Sequence, residues 1–239
     1  MIEPLMKKHL KGFKAKNILD VGPGYSNFAR NVAKITGATE IEYFDCDSKV
    51  LDWQIQESKK DDIEANGLSI NLNSNNLNKL KKSYDIILCM ELLEHLSNVR
   101  ETIISLRKLL SQNGRIIVTV PTKKSERWLK KINPSYMKNE PYGHVREFDE
   151  QGIKNLLNKA GFEIVVFIPT QPHYFIMHTW IFGSRMRVEN STGKIITKGM
   201  RARIGDLIFR ASRKIFLLTD AEKWGRIFPR NYFIIAKKS

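Results

Sequence analysis

Ile18-Leu19-Asp20-Val21-Gly22-Pro23-Gly24-Tyr25-Ser26 is the stretch that decides the fold, because it joins an apolar strand to a helix through a glycine turn. Glycine, which lacks a Cβ atom, is needed where the backbone must approach a ligand closely. The free N–H groups at the start of the following helix can bind an anionic group. A dinucleotide-binding turn would have a third glycine where Asn27 stands, so the sequence argues against NAD or FAD.

Strands and helices alternate along the chain around this turn, which is typical of a parallel sheet with helices on both faces. We predict one α/β domain over residues 1–239, with a mostly parallel sheet of seven strands. The predicted strands are 17–21, 41–45, 68–72, 84–90, 115–120, 163–168 and 231–237. The predicted helices are 2–13, 26–35, 48–57, 98–110, 125–131 and 149–160.

A link of about 60 residues separates the sixth predicted strand from the seventh. We interpret residues 170–230 as an insertion, a basic helical region that caps the active-site edge of the domain. Within it, the apolar residues of segment 200–218 recur at helical spacing and form one face, while basic residues lie off that face. This pattern predicts an amphipathic helix. Such a helix can pack its apolar face on the domain, or it can lie on an anionic membrane surface.

The glycine turn resembles motif I of the class I methyltransferases that use S-adenosylmethionine (SAM). That family often has a third glycine two residues after the second, where this chain has the small residue Ser26. The resemblance implies a Rossmann-like fold. It also implies a SAM site in which Asp20 and the turn Gly22-Pro23-Gly24 hold the amino-acid end of the cofactor.

Two acidic candidates for binding the ribose of SAM follow the second predicted strand, in the run Tyr43-Phe44-Asp45-Cys46-Asp47-Ser48. A carboxylate at this place can accept hydrogen bonds from both ribose hydroxyls of an adenosine. Asp45 matches the second acidic site of the family, and Asp47 is the competing candidate. The resemblance further implies Asn73 at the adenine amine, and it adds Cys46 and Met90 to the cofactor site.

Glu91-Leu92-Leu93-Glu94-His95 follows the fourth predicted strand and contains three side chains that can bind a metal. A helical turn can bring Glu91, Glu94 and His95 to one side. The segment resembles one found in the ubiquinone-biosynthesis O-methyltransferases and in small-RNA 2′-O-methyltransferases, where a later histidine completes a divalent metal site. The resemblance implies that His144 is that histidine. Two carboxylates with imidazole suit Mg²⁺ or Mn²⁺ better than Zn²⁺.

Three roles are open for this segment. A metal ion would lower the pKa of an acceptor hydroxyl and hold its oxygen in line with the methyl group. Without a metal, His144 or His95 can act as a general base beside Glu94. The glutamate and histidine can also merely orient the loop under SAM, as the resemblance to methyltransferases of sugar and small-molecule pathways implies.

The net charge of +15 is unevenly distributed along the chain. Residues 171–239 contain 14 Lys and Arg but only 4 Asp and Glu. A second basic segment follows the fifth predicted strand, near Trp128 and Tyr136, and its cations are Lys123, Lys124, Arg127, Lys130 and Lys131. Such one-sided charge indicates nucleic acid, an anionic membrane surface or a phosphate-bearing substrate as partner, or it serves solubility alone.

Cellular location and activity are predicted as follows. No apolar run reaches the length of a membrane span, and the first residues lack the apolar stretch of a signal peptide. Cys46 and Cys89 are interpreted as buried, reduced thiols, which indicates a cytoplasmic protein, free or peripheral at the inner membrane surface. Residues 224–232 resemble the end of methyltransferases of polysaccharide and lipid-linked glycan pathways. We predict O-methylation of a hydroxyl on a small molecule, a sugar or glycan precursor, or a lipid; the alternatives are an RNA 2′-O-methyltransferase and a non-catalytic binding protein of the same fold.

Overall fold

A computed structural model describes residues 2–72, 77, 82–132, 143–171, 187–188, 195–196, 211, 225–227 and 229–239. The helices are α1 (Ile2–His9), α2 (Phe28–Thr36), α3 (Ser48–Lys60), α4 (Val99–Leu109), α5 (Lys123–Ile132) and α6 (Glu150–Lys159). The strands are β1 (Asn17–Val21), β2 (Glu40–Asp45), β3 (Glu64–Ser69), β4 (Tyr84–Met90), β5 (Leu110–Pro121), β6 (Phe162–Thr170), β7 (Arg187–Val188), β8 (Ile195–Ile196) and β9 (Asn231–Lys238).

Seven strands form one sheet in the order β3-β2-β1-β4-β5-β9-β6, and β7 and β8 form a separate antiparallel pair. All neighbours in the large sheet are parallel except β9, which runs antiparallel to both β5 and β6. This arrangement confirms the predicted seven-stranded, mostly parallel sheet. The strand order reverses between β1 and β4, and ligands of such sheets bind at the carboxyl ends of the strands beside that point.

The central strand β4 explains why helices cover both faces of the sheet. Its side chains are buried except for the half-buried Asp85. Successive side chains of a strand point to opposite faces. Accordingly, Ile87 and Cys89 belong to an apolar cluster with α4 and α6, whereas Ile86 and Leu88 belong to a second cluster with α1 and α2.

Three helix ends lie where the sequence predicts them, whereas α1 ends four residues earlier and α3 three residues later than predicted. Gly37 ends α2 in the left-handed conformation, and its N–H donates to the Ala33 carbonyl at 2.8 Å. Asp149 caps the start of α6 by accepting a hydrogen bond from the Gly152 N–H at 2.8 Å. Gly161 follows α6 with a positive φ of 83°. These residues form hydrogen bonds with backbone N–H and C=O groups that would otherwise be unpaired at the helix ends.

The third strand was predicted wrongly, as residues 68–72 instead of Glu64–Ser69. The prediction followed the apolar residues Leu68, Ile70 and Leu72. However, β3 is an edge strand with almost entirely exposed side chains, so apolar character does not mark it. Ile70 and Leu72 are buried, but they follow the end of the strand.

The start of the fifth strand also differs from the prediction, since β5 begins at Leu110 and not at Arg115. Leu110 pairs with Tyr84 and Arg115 pairs with Ile86, so the register shifts between these two pairs. The predicted turn at Asn113 and Gly114 is therefore an irregularity within the strand.

The long connection between β6 and β9 leaves and re-enters the sheet at one place. Thr170 and Asn231 are register partners, and the Arg230 N–H donates to the Thr170 carbonyl at 3.0 Å. The predicted helix 200–218 falls outside the described residues except at residue 211, so its role and that of the predicted cap stay predictions.

Within the described part of the chain, no helix has the length and apolar character needed to cross a membrane.

Candidate functional site

The glycine turn after β1 contacts the end of β2 and the segment that follows β4. Gly22 and Gly24 have positive φ values of 67° and 50°. The Gly22 N–H donates to the Phe44 carbonyl at 2.8 Å. A Cβ atom on Gly22 would lie 2.8 Å from Cδ1 of Leu92, whereas one on Gly24 would meet nothing within 4 Å. Glycine at position 22 is thus needed for the backbone conformation and for close packing against the segment after β4.

A cavity of about 440 Å³ lies at the carboxyl ends of β1, β2 and β4. Four predicted cofactor residues line it, namely Gly22, Gly24, Asp45 and Cys46. Cys46 is exposed and not buried as predicted, because it follows the end of β2, whereas Cys89 is buried. Glu91 and His95 also line it, from the segment after β4. The volume falls in the range of about 300–1,000 Å³ that is usual for small-molecule sites.

The two acidic candidates for the ribose differ in their surroundings. Asp45 lines the cavity, and its Oδ1 accepts a hydrogen bond from the Asp47 N–H at 3.0 Å. Asp47 caps α3 by accepting a hydrogen bond from the Lys49 N–H at 2.9 Å. The position of Asp45 favours it over Asp47 as the ribose ligand.

Two of the other predicted cofactor residues are described and are not part of the cavity lining. Pro23 and Met90 are buried, and neither is among the described residues that line the cavity. Asn73 falls outside the described residues. The predicted contacts of these three residues with the cofactor stay predictions.

Asp20 is a buried carboxylate on β1, two residues before Gly22 of the glycine turn. It is 1% exposed, and neither carboxylate oxygen has a hydrogen-bond partner among the described residues. Burial, and secondly the charge of Asp45, raise the pKa of Asp20 to about 8, against the opposing charge of Arg30. An unpartnered buried carboxylate is unfavourable when ionised, so a cationic group nearby would stabilise it.

Gln54 supports the glycine turn, and the sequence prediction missed it. Its Nε2 donates to the carbonyls of Gly24 and Ser26 at 2.7 and 2.9 Å. Its Oε1 accepts a hydrogen bond from Arg30 Nη1 at 2.6 Å. A detectable signal was present, because Gln54 is a polar residue on the buried face of α3 between Val50 and Ser58.

Glu91 does not join the other predicted metal ligands. It leaves β4 with a φ of 53°, a conformation that is unfavourable for residues other than glycine. Its N–H donates to the carbonyl and the Oγ1 of Thr119, each at 3.0 Å. Its Oε1 accepts a hydrogen bond from Asn231 Nδ2 at 2.8 Å. Glu91 therefore precedes the turn that carries Glu94 and His95, which corrects the prediction that one helical turn brings all three residues to one side.

Among the described residues, Glu94, His95 and His144 form a group with ligand atoms within 4.8 Å of one another. The two imidazole rings lie edge to face with their centroids 4.8 Å apart. Glu94 is 1% exposed, and neither of its carboxylate oxygens has a hydrogen-bond partner in the described part of the chain. Burial, and secondly the charge of Glu91, raise the pKa of Glu94 well above its usual value. The cluster thus combines a buried acid of raised pKa with two imidazoles.

Backbone hydrogen bonds bring His144 to this cluster from 50 residues away in sequence. The N–H groups of Val145 and Arg146 donate to the Glu94 carbonyl at 2.9 and 3.3 Å. The Arg146 side chain donates to the carbonyls of Leu96 and Ser97. These contacts explain how the sequence-predicted residues His95 and His144 become neighbours.

A buried ion-pair network behind His144 was not predicted. His144 Nδ1 lies 2.7 Å from Glu126 Oε2, and Arg230 Nη1 donates to Glu126 Oε1 at 3.1 Å. Burial alone would raise the pKa of Glu126, but the hydrogen bond with His144 and the charge of Arg230 outweigh it and lower the pKa. The one acidic residue among five cations of α5 was the available sequence signal.

The basic residues of α5 are largely paired within the chain. Lys123 pairs with Asp149 at 3.5 Å, and Arg127 and Lys130 pair with Glu147 at 3.2 and 2.8 Å. Lys124 Nζ donates to the Ile227 carbonyl at 3.1 Å. Trp128 is 42% exposed, and Tyr136 falls outside the described residues. Four of the five cations of α5 therefore contact this protein's own groups.

Curated proteins similar to this chain include ubiquinone biosynthesis O-methyltransferases. The relative from Rickettsia typhi is 25% identical over 124 residues, which cover 52% of this chain and 48% of the relative. The relative from Schizosaccharomyces pombe is 26% identical over 107 residues, covering 45% of this chain and 38% of the relative. This chain thus spans about half or less of the length of these relatives.

Solved structures with a similar fold have diverse chemistry. A SAM-dependent methyltransferase from Archaeoglobus fulgidus is 18% identical, with a TM-score of 0.55 and coverage of 99% of this chain and 94% of the other. The [4+2]-cyclase SpnF is 16% identical, with a TM-score of 0.63 and coverage of 99% and 80%. These likenesses concern the fold alone, since one fold can support several reactions. The sequence profile of a methyltransferase domain family matches residues 2–166, more than half of the chain, and the chain therefore belongs to that family.

Proposed function

We propose that this chain is a SAM-dependent methyltransferase that methylates a hydroxyl oxygen of a small molecule, a sugar or glycan precursor, or a lipid. The family supports methyl transfer, and the ubiquinone-biosynthesis relatives support oxygen as the acceptor atom. The site supports the proposal through its cofactor cleft and through the acid–imidazole cluster beside it.

The cleft residues suit SAM. Asp45 faces the cavity, where a carboxylate can accept hydrogen bonds from ribose hydroxyls. The cavity-lining glycines leave room for close backbone contact. Asp20 has two buried oxygens without a described partner, and the ammonium group of SAM would compensate its charge. When bound, SAM supplies a methyl group on a sulfonium sulfur, which is an electrophile.

His95 is the observation that carries the proposal, because it lines the cofactor cavity and also belongs to the cluster with Glu94 and His144. An acceptor hydroxyl must lose its proton as its oxygen bonds to the methyl carbon. An imidazole of His144 or His95 can take that proton, as histidine commonly does in catalysis. The raised pKa of Glu94 favours its protonated form, which can donate a hydrogen bond to the acceptor.

A divalent metal ion at the cluster belongs to the proposal as one form of this chemistry. Glu94, His95 and His144 would hold it, and it would lower the pKa of the bound hydroxyl. One carboxylate with two imidazoles suits Mn²⁺ or Zn²⁺ better than Mg²⁺. Because Glu91 bonds to Asn231 instead, the described ligands favour Mn²⁺ over Mg²⁺.

RNA is the second candidate acceptor, and the net charge of +15 favours it. The pairing of α5 cations with Glu147 and Asp149 favours a small molecule instead. The two acceptors differ in their response to salt. Methylation of RNA should fall steeply with added salt, because binding releases counterions, whereas methylation of an uncharged small molecule should not.

The first experiment measures thermal unfolding with S-adenosylhomocysteine, each time with Mn²⁺, with Mg²⁺ and with chelator. A ligand at about 100 times its dissociation constant stabilises by about 2.7 kcal/mol, which in a chain of this size raises Tm by roughly 5–10 °C. An absent rise in every condition would refute the cofactor assignment.

Methyl transfer from radiolabelled SAM to quinols, sugars, lipids and RNA then identifies the acceptor. Glu94→Gln should abolish transfer and any metal-dependent rise in Tm while retaining the rise caused by S-adenosylhomocysteine. Glu101→Gln, an exposed change on α4, is the matched control and should alter neither quantity. Full transfer by Glu94→Gln would contradict the role given to the cluster.

A further inference from the structure

We infer that Glu126, held by Arg230, is a positioning residue that fixes the tautomer and orientation of His144. This inference rests on the proposed function, in which His144 acts on the acceptor or binds a metal ion. It goes further by assigning two residues behind the site to the reaction, Glu126 on α5 and Arg230 immediately before β9.

The geometry selects which nitrogen of His144 faces the carboxylate. His144 Nδ1 lies 2.7 Å from Glu126 Oε2, a normal distance for a charge-assisted hydrogen bond. A carboxylate only accepts hydrogen bonds, so Nδ1 must carry the proton. The lone pair of the neutral ring is then on Nε2. Only this tautomer offers Nε2 as a base or as a metal ligand, and catalytic and metal-bound histidines are commonly fixed in this way.

Arg230 keeps the Glu126 carboxylate ionised, and the positioning of His144 requires this ionised form. The Glu126 side chain is fully buried, and Arg230 Nη1 donates to its second oxygen, Oε1, at 3.1 Å. The same guanidinium nitrogen donates to Ser125 Oγ at 3.2 Å. A buried carboxylate needs an opposite charge and hydrogen bonds to remain ionised. With one oxygen on Arg230 and the other on His144, the carboxylate has a fixed direction.

The backbone around the network fixes all three members relative to the sheet. The Thr122 N–H donates to the Arg230 carbonyl at 2.9 Å, and the Lys123 N–H donates to the Phe148 carbonyl at 2.7 Å. The first turn of α5, the start of β9 and the loop of His144 are thereby joined. A solvent-exposed ion pair lacks such backbone hydrogen bonds and contributes little to stability. The buried pair of Glu126 and Arg230 is therefore held more firmly than a surface ion pair.

Glu126→Gln tests the inference, with Glu147→Gln as the matched control. Glu147 pairs with Arg127 and Lys130 of the same helix but is not a partner of His144. The first measurement is the ¹⁵N spectrum of the histidine rings, assigned by comparison with His144→Gln. The unchanged protein and Glu147→Gln should show a proton on Nδ1 of His144, and Glu126→Gln should show a mixture of tautomers or the opposite one.

Activity gives the second measurement. In Glu126→Gln, kcat should fall roughly 10- to 100-fold, as is typical for loss of a partner behind a functional histidine. The dissociation constant of S-adenosylhomocysteine should stay within about twofold, since Glu126 is not among the described residues that line the cofactor cavity. Glu147→Gln should match the unchanged protein in both quantities.

Glu126→Asp covers the case in which the glutamine variant fails to fold, because it retains the negative charge beside Arg230 but shortens the reach to His144. It should fold and still lose the Nδ1–H preference. An unaltered His144 spectrum in Glu126→Asp and Glu126→Gln, or an equal change in Glu147→Gln, would overturn the inference. Failure of S-adenosylhomocysteine to bind would instead refute the proposed function, while the ring spectrum would still report on Glu126.

Discussion

Two requirements explain the glycines of this turn: a positive φ at both residues and close packing against Leu92 at Gly22 alone. Comparing Gly22→Ala with Gly24→Ala separates these two requirements. Both residues have positive φ, which costs a residue with a side chain about 1–2 kcal/mol. Only at Gly22 would the new methyl group collide, lying 2.8 Å from Leu92 Cδ1. Overpacking of this kind costs about 1–3 kcal/mol. Gly24→Ala should therefore lower the free energy of unfolding by about 1–2 kcal/mol and Gly22→Ala by about 2–5 kcal/mol.

The collision at Gly22 has a second expected effect. Leu92 Cδ1 is the end of a flexible side chain, so it can move, but Leu92 also lines the cofactor cavity. Relief of the clash by rotation of Leu92 would place its methyl group in that cavity. We therefore expect Gly22→Ala to bind S-adenosylhomocysteine at least about tenfold more weakly, equivalent to about 1.4 kcal/mol.

Urea unfolding and titration calorimetry measure the two effects. The double variant Gly22→Ala with Leu92→Ala should recover about 1–3 kcal/mol relative to the sum of the single changes, because the colliding groups are both small. Equal losses of stability and of affinity in Gly22→Ala and Gly24→Ala, with additive energies in the double variant, would refute the role given to Leu92.

Three further changes probe the same region. Gln54→Leu removes hydrogen bonds to Gly24 and Ser26 worth about 1 kcal/mol each, so calorimetry should show weaker S-adenosylhomocysteine binding, while the exposed neighbour change Gln56→Leu should leave the affinity intact. Asp20 has its folded pKa raised from 3.8 to about 8, so its contribution to stability is complete below pH 4 and is lost as the pH rises towards 8. Asp20→Asn should accordingly gain stability relative to the unchanged protein between pH 4 and 8 in urea unfolding, yet bind the cofactor more weakly; a constant difference across this range would contradict the raised pKa. Glu91→Gly should unfold with about 1 kcal/mol more free energy than Glu91→Ala, because glycine tolerates the φ of 53°, and equal stabilities would show that this conformation is not maintained.

The parts of the fold that were predicted from the sequence depend on local physical requirements. The apolar run of β4, the glycine turn after β1 and the helix cap Asp149 are each recognisable within a few neighbouring residues. Edge strand β3 lacks such a signal, since its side chains are exposed and its place is set by pairing with β2. The sequence therefore predicted the order of the elements better than the bounds of this strand.

The candidate site was predicted in its residue types but not in its partners. Glu94, His95 and His144 were recognised because side chains that bind metals or protons stand at suggestive positions. Glu126 and Arg230 are 104 residues apart in sequence, and a lone acid in a lysine-rich helix is usually a solvated surface residue. Only the folded contacts of Glu126 with Arg230 and His144 distinguish this buried carboxylate from an ordinary surface acid.

Thr170 and Asn231 are register partners in adjacent antiparallel strands, although 60 residues of chain separate them. A connection with joined ends can be lengthened, shortened or exchanged during evolution, because each doubling of loop length adds only about 0.6 kcal/mol of closure entropy. Asn231 donates to both Gln171 and Glu91, so any exchanged segment would begin and end beside Glu91, which lines the cavity. Related chains could in this way acquire new acceptors while they inherit the cofactor cleft unaltered.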